Sequence, residues 1–406
     1  MKPTQLAYLV SRYPAISHTF ILREVRTLRQ MGFEITVASI NAPDRPMQEM
    51  TAAEQEEIQN TFYVKPSGLW GALKATAMTM VTRPLHFLRG LGFALSLGKG
   101  DIKHLIYRLF YFIEAMMIGQ WMQQHKLTHI HIHFATQAAT VGLILNRMFP
   151  VTYSMTVHGP DEFYNVKEHH LTQKIASARF ICCISNFARS QLMILSPAPD
   201  WDKFDISPLG VDPAVFKPMP FRDNPETFEI VCVGRLVPVK GQHILLQAVA
   251  QLLKQGRAIR LRYVGDGPDR ESLEQQAKSL GQAVHFAGAV NQDQILDFYR
   301  QADVFVLASF AEGVPVVLME AMMMQIPCVT THITGIPELI RQGEGLLTAP
   351  SDVDGLADAI ASLMDDAKLR QEIGRKARTS VLARYELSKN TQRLGDIFRK
   401  RLGEAK

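Results

Sequence analysis

Val233-Gly-Arg-Leu-Val-Pro-Val-Lys-Gly241 and, further along, Glu312-Gly-Val-Pro-Val-Val-Leu-Met-Glu320 decide how this chain is read. The first segment leaves an apolar run over 228–233 and enters a helical pattern near Gln242, so it is a strand-to-helix turn carrying two cations, Arg235 and Lys240. Such a turn suits a diphosphate: amides at the helix start point toward it, Arg235 grips oxygens through two parallel bonds, and Lys240 adds a compact charge. The second segment enters an apolar helix, and Glu320 lies inside the run Leu318-Met-Glu-Ala-Met-Met-Met324. A carboxylate there is costly to bury unless it is hydrogen-bonded, and the vicinal hydroxyls of a ribose would supply those bonds. Glu312 comes just before the helix, placed to face a sugar. Gly313-Val-Pro-Val316 brings backbone N–H groups to the helix start, with Pro315 suited to its first turn.

Short apolar runs alternate with amphipathic stretches along the whole chain, the pattern of an α/β fold in which helices cover both faces of a parallel sheet. Strands are expected over 5–10, 33–40, 129–134, 151–157 and 180–184, then over 228–233, 259–264, 284–286, 304–308 and 327–330. Behind the first strand, Ile21, Val25 and Leu28 share a helical face, with Ser17 as N-cap and Gly32 as C-cap. A Pro- and Gly-rich stretch over 206–225 shows no periodicity and separates the two series. The expected domains are 1–216 and 217–385. An amphipathic helix in 386–406 follows, either capping the second domain or crossing back to the first.

With 406 residues, 47% of them hydrophobic, the chain can build two cores of ordinary size. Lys and Arg total 44 against 39 acids, an excess too slight and dispersed for a nucleic-acid binder. It leaves anionic small ligands and an anionic membrane surface as partners. Cys182, Cys183, Cys232 and Cys328 sit in apolar runs without metal-ligand spacing and read as reduced core residues. The run 5–10 is too short for the apolar core of a signal peptide, so a cytoplasmic location is expected. His129, His131 and His133 alternate along one strand and share a face, an arrangement that suggests metal. No Asp, Glu or Cys accompanies them in sequence, and alternation with Ile130 and Ile132 also describes a half-buried strand. No metal is expected there.

Between Leu69 and Arg108 the cations Lys74, Arg83, Arg89, Lys99, Lys103 and Arg108 meet a single acid, Asp101, amid bulky apolar residues such as Trp70, Phe87, Leu88 and Phe93. Basic charge interleaved with apolar bulk suits the surface of an anionic bilayer. Core-facing helices with basic solvent faces describe the pattern equally well. No run reaches the ~20 apolar residues needed to cross a membrane.

Taken together, the two opening segments resemble the retaining, nucleotide-sugar-dependent glycosyltransferases of family 4, whose GT-B fold sets two Rossmann-like doubly wound domains around a central cleft. The resemblance implies that Arg235 and Lys240 bind the donor diphosphate, that Glu320 holds the ribose, and that Glu312 contacts the transferred sugar. Gly313, Val314, Pro315 and Val316 would hold sugar and diphosphate. It also assigns Val264-Gly-Asp-Gly-Pro268 to a Gly-x-Gly turn, Phe286-Ala-Gly-Ala-Val290 to the base pocket, and His158 to the donor sugar. Tyr13-Pro-Ala-Ile-Ser-His-Thr-Phe-Ile21 and the pair His133-Phe134 are similar to the exopolysaccharide, colanic-acid-type branch of that family. There the loop reads Tyr/Phe-Pro-x-x-Ser-Glu-Thr-Phe-Ile. Here His18 replaces the Glu, and the loop lacks the Gly-Gly pair with which most of the wider family approaches the donor phosphate, so Ser17 is assigned to substrate through that similarity alone.

The resemblance implies a retaining hexosyltransferase that moves a sugar from a nucleotide diphosphate sugar to a growing oligosaccharide, polyprenyl-linked, in surface polysaccharide biosynthesis. No cofactor is expected, since no Asp-x-Asp metal motif lies near the donor loops. The protein would sit in the cytoplasm, peripheral on the inner membrane. A nucleotide-sugar epimerase of the same fold, or a non-catalytic nucleotide-sugar-binding component of an assembly complex, are the alternatives.

Overall fold

The computed structural model describes residues 4–98 and 102–403, so Lys99 and Asp101 of the basic stretch lie outside the described residues. The chain divides into two compact units, one formed by Met1–Ser207 with Thr391–Lys406 and the other by Pro208–Asn390.

The first unit is built on seven strands, β1 (Gln5–Arg12), β2 (Glu34–Asn41), β3 (Thr61–Tyr63), β4 (His129–His133), β5 (Thr152–Val157), β6 (Ile181–Cys183) and β7 (Phe204–Ile206). They lie in the order β3-β2-β1-β4-β5-β6-β7, and every pairing is parallel. The strands expected in this half are present with small shifts at their ends. β3 and β7 are too short to show a period, and only the structure reveals them. Ile21, Val25 and Leu28 are buried as their spacing requires. Their helix, however, starts at Thr19 with His18 as N-cap, because Ser17 is taken up in the 3-10 turn Ile16–His18. Met31 is the C-cap and Gly32, at φ +86°, follows it. Leu394 and Phe398 of the final helix join the cluster of Tyr8, Leu28, Phe33 and Phe180, which ties the chain's last helix into this unit.

Six strands form the second unit, β8 (Phe228–Val233), β9 (Ile259–Val264), β10 (Val284–Phe286), β11 (Val304–Leu307), β12 (Cys328–Thr331) and β13 (Leu346–Thr348). Their order is β10-β9-β8-β11-β12-β13, again parallel throughout. Both sheets are doubly wound: the order runs outward one way, then reverses, between β1 and β4 in the first unit and between β8 and β11 in the second. Central strands are buried on both faces: β11 is a continuous apolar run, and β8 is apolar save for Glu229, whose carboxylate pairs with Arg260 and Arg262. Residues 208–216 belong to the second unit, and the first ends at Ser207. Val211 bridges Glu386, and Phe216 packs edge-on against Tyr299.

Candidate active site

Where a doubly wound sheet reverses its order, the loops leaving the neighbouring strands part and open a crevice at the strands' carboxyl ends. In the second unit those loops follow β8 and β11, and they are the two opening segments. Gly241, at φ +61°, is the left-handed N-cap of the helix Gln242–Lys254, and a Cβ on it would collide with the Ala308 carbonyl beyond β11. Glycine therefore lets the two loops touch. Among the described residues no side chain caps this helix, and an anion at its start would take that role.

The contact brings Lys240 to Glu312: Nζ donates to Oε1 at 2.6 Å, and the Ser309 hydroxyl donates to the same oxygen at 2.6 Å. The Glu312 side chain is only 8% exposed and that of Lys240 25%, so the carboxylate forms the floor of the site and the ammonium its wetter wall. Thr334 donates its hydroxyl to the Glu312 backbone carbonyl. Arg235 is exposed, but its own carbonyl accepts from Gln242 Nε2 at 2.8 Å, which fixes the backbone from which the guanidinium extends.

Gly313, Val314 and Pro315 lead into the helix Val316–Met323. Pro315 is its N-cap, extended at ψ 121°, and so stands one residue before the first turn in which the sequence places it. Glu320 is 3% exposed, and Tyr299 donates its hydroxyl to Oε2 at 3.0 Å. A protein group thus supplies part of the hydrogen bonding that burial of this carboxylate demands. The turns after β9 and β10 close on the same loop: Gly265 N–H donates to Gly288 O at 2.8 Å, and Leu236 N–H to Asp266 O at 3.0 Å.

In the first unit the loops after β1, β4 and β5 bring aromatic rings together. Phe134 lies 4.3 Å from His158, the rings tilted by 36°, and 4.8 Å from His18, and Phe20 lies 5.0 Å from His158. His158 Nε2 pairs with His133 Nδ1 at 3.0 Å, while His133 Nε2 meets Glu24 Oε1 at 3.1 Å, an oxygen that also accepts from Tyr8 at 2.8 Å. Burial holds His158 well below the usual imidazole range, and the neighbouring His133 and His18 push it further down, so the ring is neutral at physiological pH. Ser17 is exposed on its 3-10 turn.

Two residues absent from the sequence reading organise this corner. Glu162 accepts the amides of His158 at 2.5 Å and Gly159 at 2.8 Å, and also that of Ala135, tying the ends of β4 and β5. Lys174, fully buried, donates to the carbonyls of Ala135 at 2.8 Å and Thr136 at 2.7 Å. A buried acid shortly after a strand end, in His158-Gly-Pro-Asp-Glu162, was the available signal. β4 itself is buried at all five positions, not half-buried, because it is central between β1 and β5. The rings of His129 and His131 are bonded at 2.8 Å to the hydroxyls of Thr152, Ser154 and Thr156 on β5. An acid does accompany them in space: Glu24, His131 and His133 present ligand atoms within 4.8 Å of one another. Both nitrogens of His131 are already engaged by hydroxyls, so the cluster stands as a hydrogen-bonded network.

Comparison with known proteins bears on both units. Residues 218–380 match the family model "Glycosyl transferases group 1". A protein of Bacillus subtilis named as a teichuronic acid biosynthesis glycosyltransferase is 29% identical over 286 residues, covering 65% of this chain and 68% of the relative. One of Escherichia coli, named as a colanic acid biosynthesis glycosyltransferase, is 26% identical over 377 residues, 88% of this chain and 90% of the relative. Among solved structures, sucrose-phosphate synthase from Thermosynechococcus elongatus superposes with a TM-score of 0.77 at 18% identity over 99% of this chain and 100% of that one. Anabaena HepE, solved with UDP and glucose, superposes at 0.72 with 18% identity over 96% of this chain and 98% of that one. Residues 218–380 thus form a domain of the Glycosyl transferases group 1 family, and the chain that carries it is a glycosyltransferase of the GT-B fold.

Proposed function

We propose that this glycosyltransferase moves a sugar from a nucleotide diphosphate sugar to a growing, lipid-linked oligosaccharide of a surface polysaccharide, with retention of anomeric configuration as in family 4. The observation that carries the reading is the Lys240–Glu312–Ser309 cluster at the switch point of the second unit, on a loop followed by the buried Glu320. The relatives named for colanic and teichuronic acid biosynthesis support the polysaccharide acceptor.

Arg235 and Lys240 take the donor diphosphate. A leaving diphosphate gains negative charge as the glycosidic bond breaks, so these cations, and not a metal, stabilise the transition state. Glu320 holds the ribose, and the amides of Gly313, Val314 and Val316, with Pro315 shaping the turn, hold sugar and diphosphate. Glu312 orients the sugar. With Lys240 and Ser309 both on one of its oxygens it is a poor nucleophile, which fits orientation better than a covalent intermediate. The acceptor hydroxyl then attacks the face the diphosphate leaves, passing its proton to the departing phosphate. His158, neutral, hydrogen-bonds a sugar hydroxyl, and Ser17 contacts substrate. A polyprenyl-linked acceptor places this work at the cytoplasmic face of a membrane.

A thermal-shift screen over nucleoside diphosphates and their sugar nucleotides, with and without a chelator, tests this reading. One base should raise Tm in both forms, and transfer from that donor should survive chelation. No rise with any nucleotide would overturn the donor assignment, and transfer lost on chelation would overturn the metal-free mechanism.

A further inference from the structure

Three helices of the first unit, Gly68–Thr82, Pro84–Leu97 and the first turns of Ile102–Gln124, show an unusual surface. Their inner sides are anchored: Ala75, Ala94, Leu97 and Phe112 are in the core, and buried Thr79 accepts from Gln120 Nε2 at 3.0 Å. Their outer sides leave large apolar side chains in water, with Trp70 85% exposed, Val81 80%, Ile102 77%, Leu69 74%, Leu85 68% and Leu88 62%. Leu69 and Leu73, Leu85 and Leu88, and Ile102, Ile106 and Phe110 recur at helical spacing, so each helix presents an apolar face, that of the first widened by Trp70 and Val81. Surfaces this apolar mark an interaction site.

Charge identifies the occupant. Lys74, Arg89 and Lys103 are exposed on the same three helices, and the described residues of 68–110 include no Asp or Glu. Cations beside apolar stripes match a layer that is anionic outside and hydrocarbon within, and an indole such as that of Trp70 settles at the boundary between them. A second copy of the chain would bring cation against cation. No helix of the described residues is long and apolar enough to cross a membrane, so the contact lies in the plane of the surface.

We propose that these three helices dock the protein on an anionic phospholipid bilayer, their apolar stripes in the headgroup–acyl boundary and Lys74, Arg89 and Lys103 on lipid phosphates. The proposal rests on the reading of a lipid-linked acceptor, which such docking brings within reach.

The full chain is sedimented with vesicles of phosphatidylcholine alone or mixed with phosphatidylglycerol. Wild type should partition onto the anionic vesicles at least about tenfold more than onto neutral ones, and Lys74→Glu/Arg89→Glu should abolish about tenfold or more of that gain. Trp70→Ser/Leu88→Ser should reduce partition to both. All variants should keep the wild-type Tm and the wild-type rate of nucleoside diphosphate release in vesicle-free buffer. Wild type remaining in the supernatant, or variants that bind like wild type, would overturn the docking. So would a wild-type dimer that Trp70→Ser/Leu88→Ser dissolves without any vesicle binding. Failure of donor turnover with vesicle binding and its variant pattern intact would sink the transfer reading and support the docking surface on its own.

Discussion

Lys240→Ala removes the cation at the centre of the proposed donor site, and the structure separates its two consequences. For catalysis, one charge-assisted contact to the diphosphate is worth about 1.5–3 kcal/mol, so kcat/KM for donor turnover should fall about ten- to a hundredfold. For stability the loss is smaller. The Lys240 side chain is a quarter exposed, and Glu312 keeps the Ser309 hydroxyl on the same oxygen, so the carboxylate is not left stripped. About 1 kcal/mol is expected, which shifts Tm by roughly 2–4 °C. Arg235→Ala should show the same catalytic loss with no shift in Tm, because only the Arg235 carbonyl is used within the loop and its guanidinium is exposed. The assay is release of nucleoside diphosphate from a confirmed donor, run beside a melting curve. Wild-type kcat/KM in both variants would refute the diphosphate assignment, and a large collapse of Tm in Lys240→Ala would show that the pair with Glu312 is a structural brace.

Further outcomes follow from the same geometry. Glu320→Gln should weaken binding of the free nucleoside diphosphate and of the sugar nucleotide alike, and Tyr299→Phe, which removes the 3.0 Å bond to Glu320, should do so by about fivefold. Glu312→Gln should depress transfer while sparing diphosphate binding, and titrations giving the reverse pattern would mean the two roles are exchanged. Burial pushes Glu114 up to about 7, with Lys65 pulling the other way. A carboxyl raised above its unfolded value stabilises below that value and loses the contribution as pH rises through the folded one, so Glu114→Gln should gain stability on wild type between about pH 5 and pH 8. A difference in Tm that stays constant over that interval would contradict the assignment.

What the sequence made legible is what local pattern can carry. β11 is a continuous apolar run and β8 is one save for Glu229, so both are visible in the sequence, and the loops after them carry glycines together with Lys240 and Glu312. The contacts that organise those loops are not local. Ser309 donates within its own loop, but Tyr299 reaches Glu320 from another helix, and on that amphipathic helix it reads as an ordinary core tyrosine. Glu162 and Lys174 serve backbone groups beyond β4 and β5, and nothing in the identity of a carbonyl or amide announces its partner. The full burial of β4 is hidden for the same reason: its histidines read as half-exposed until strand pairing sets the hydroxyls of Thr152, Ser154 and Thr156 beside them. Ser17 reads as a cap because a hydroxyl before a helical pattern is the usual signal, and an intervening 3-10 turn leaves no trace in composition.

In the proposed same-face transfer the departing phosphate is the base and Glu312 orients the sugar. Inversion would instead need a side-chain base on the opposite face, and His18 and the exposed Asp161 are the groups of the first unit that sequence offers for it. Proton NMR of the isolated product reads the anomeric coupling directly. An α-linked donor should give an α-linked product; a β-linked product would contradict the same-face mechanism while leaving the diphosphate site standing.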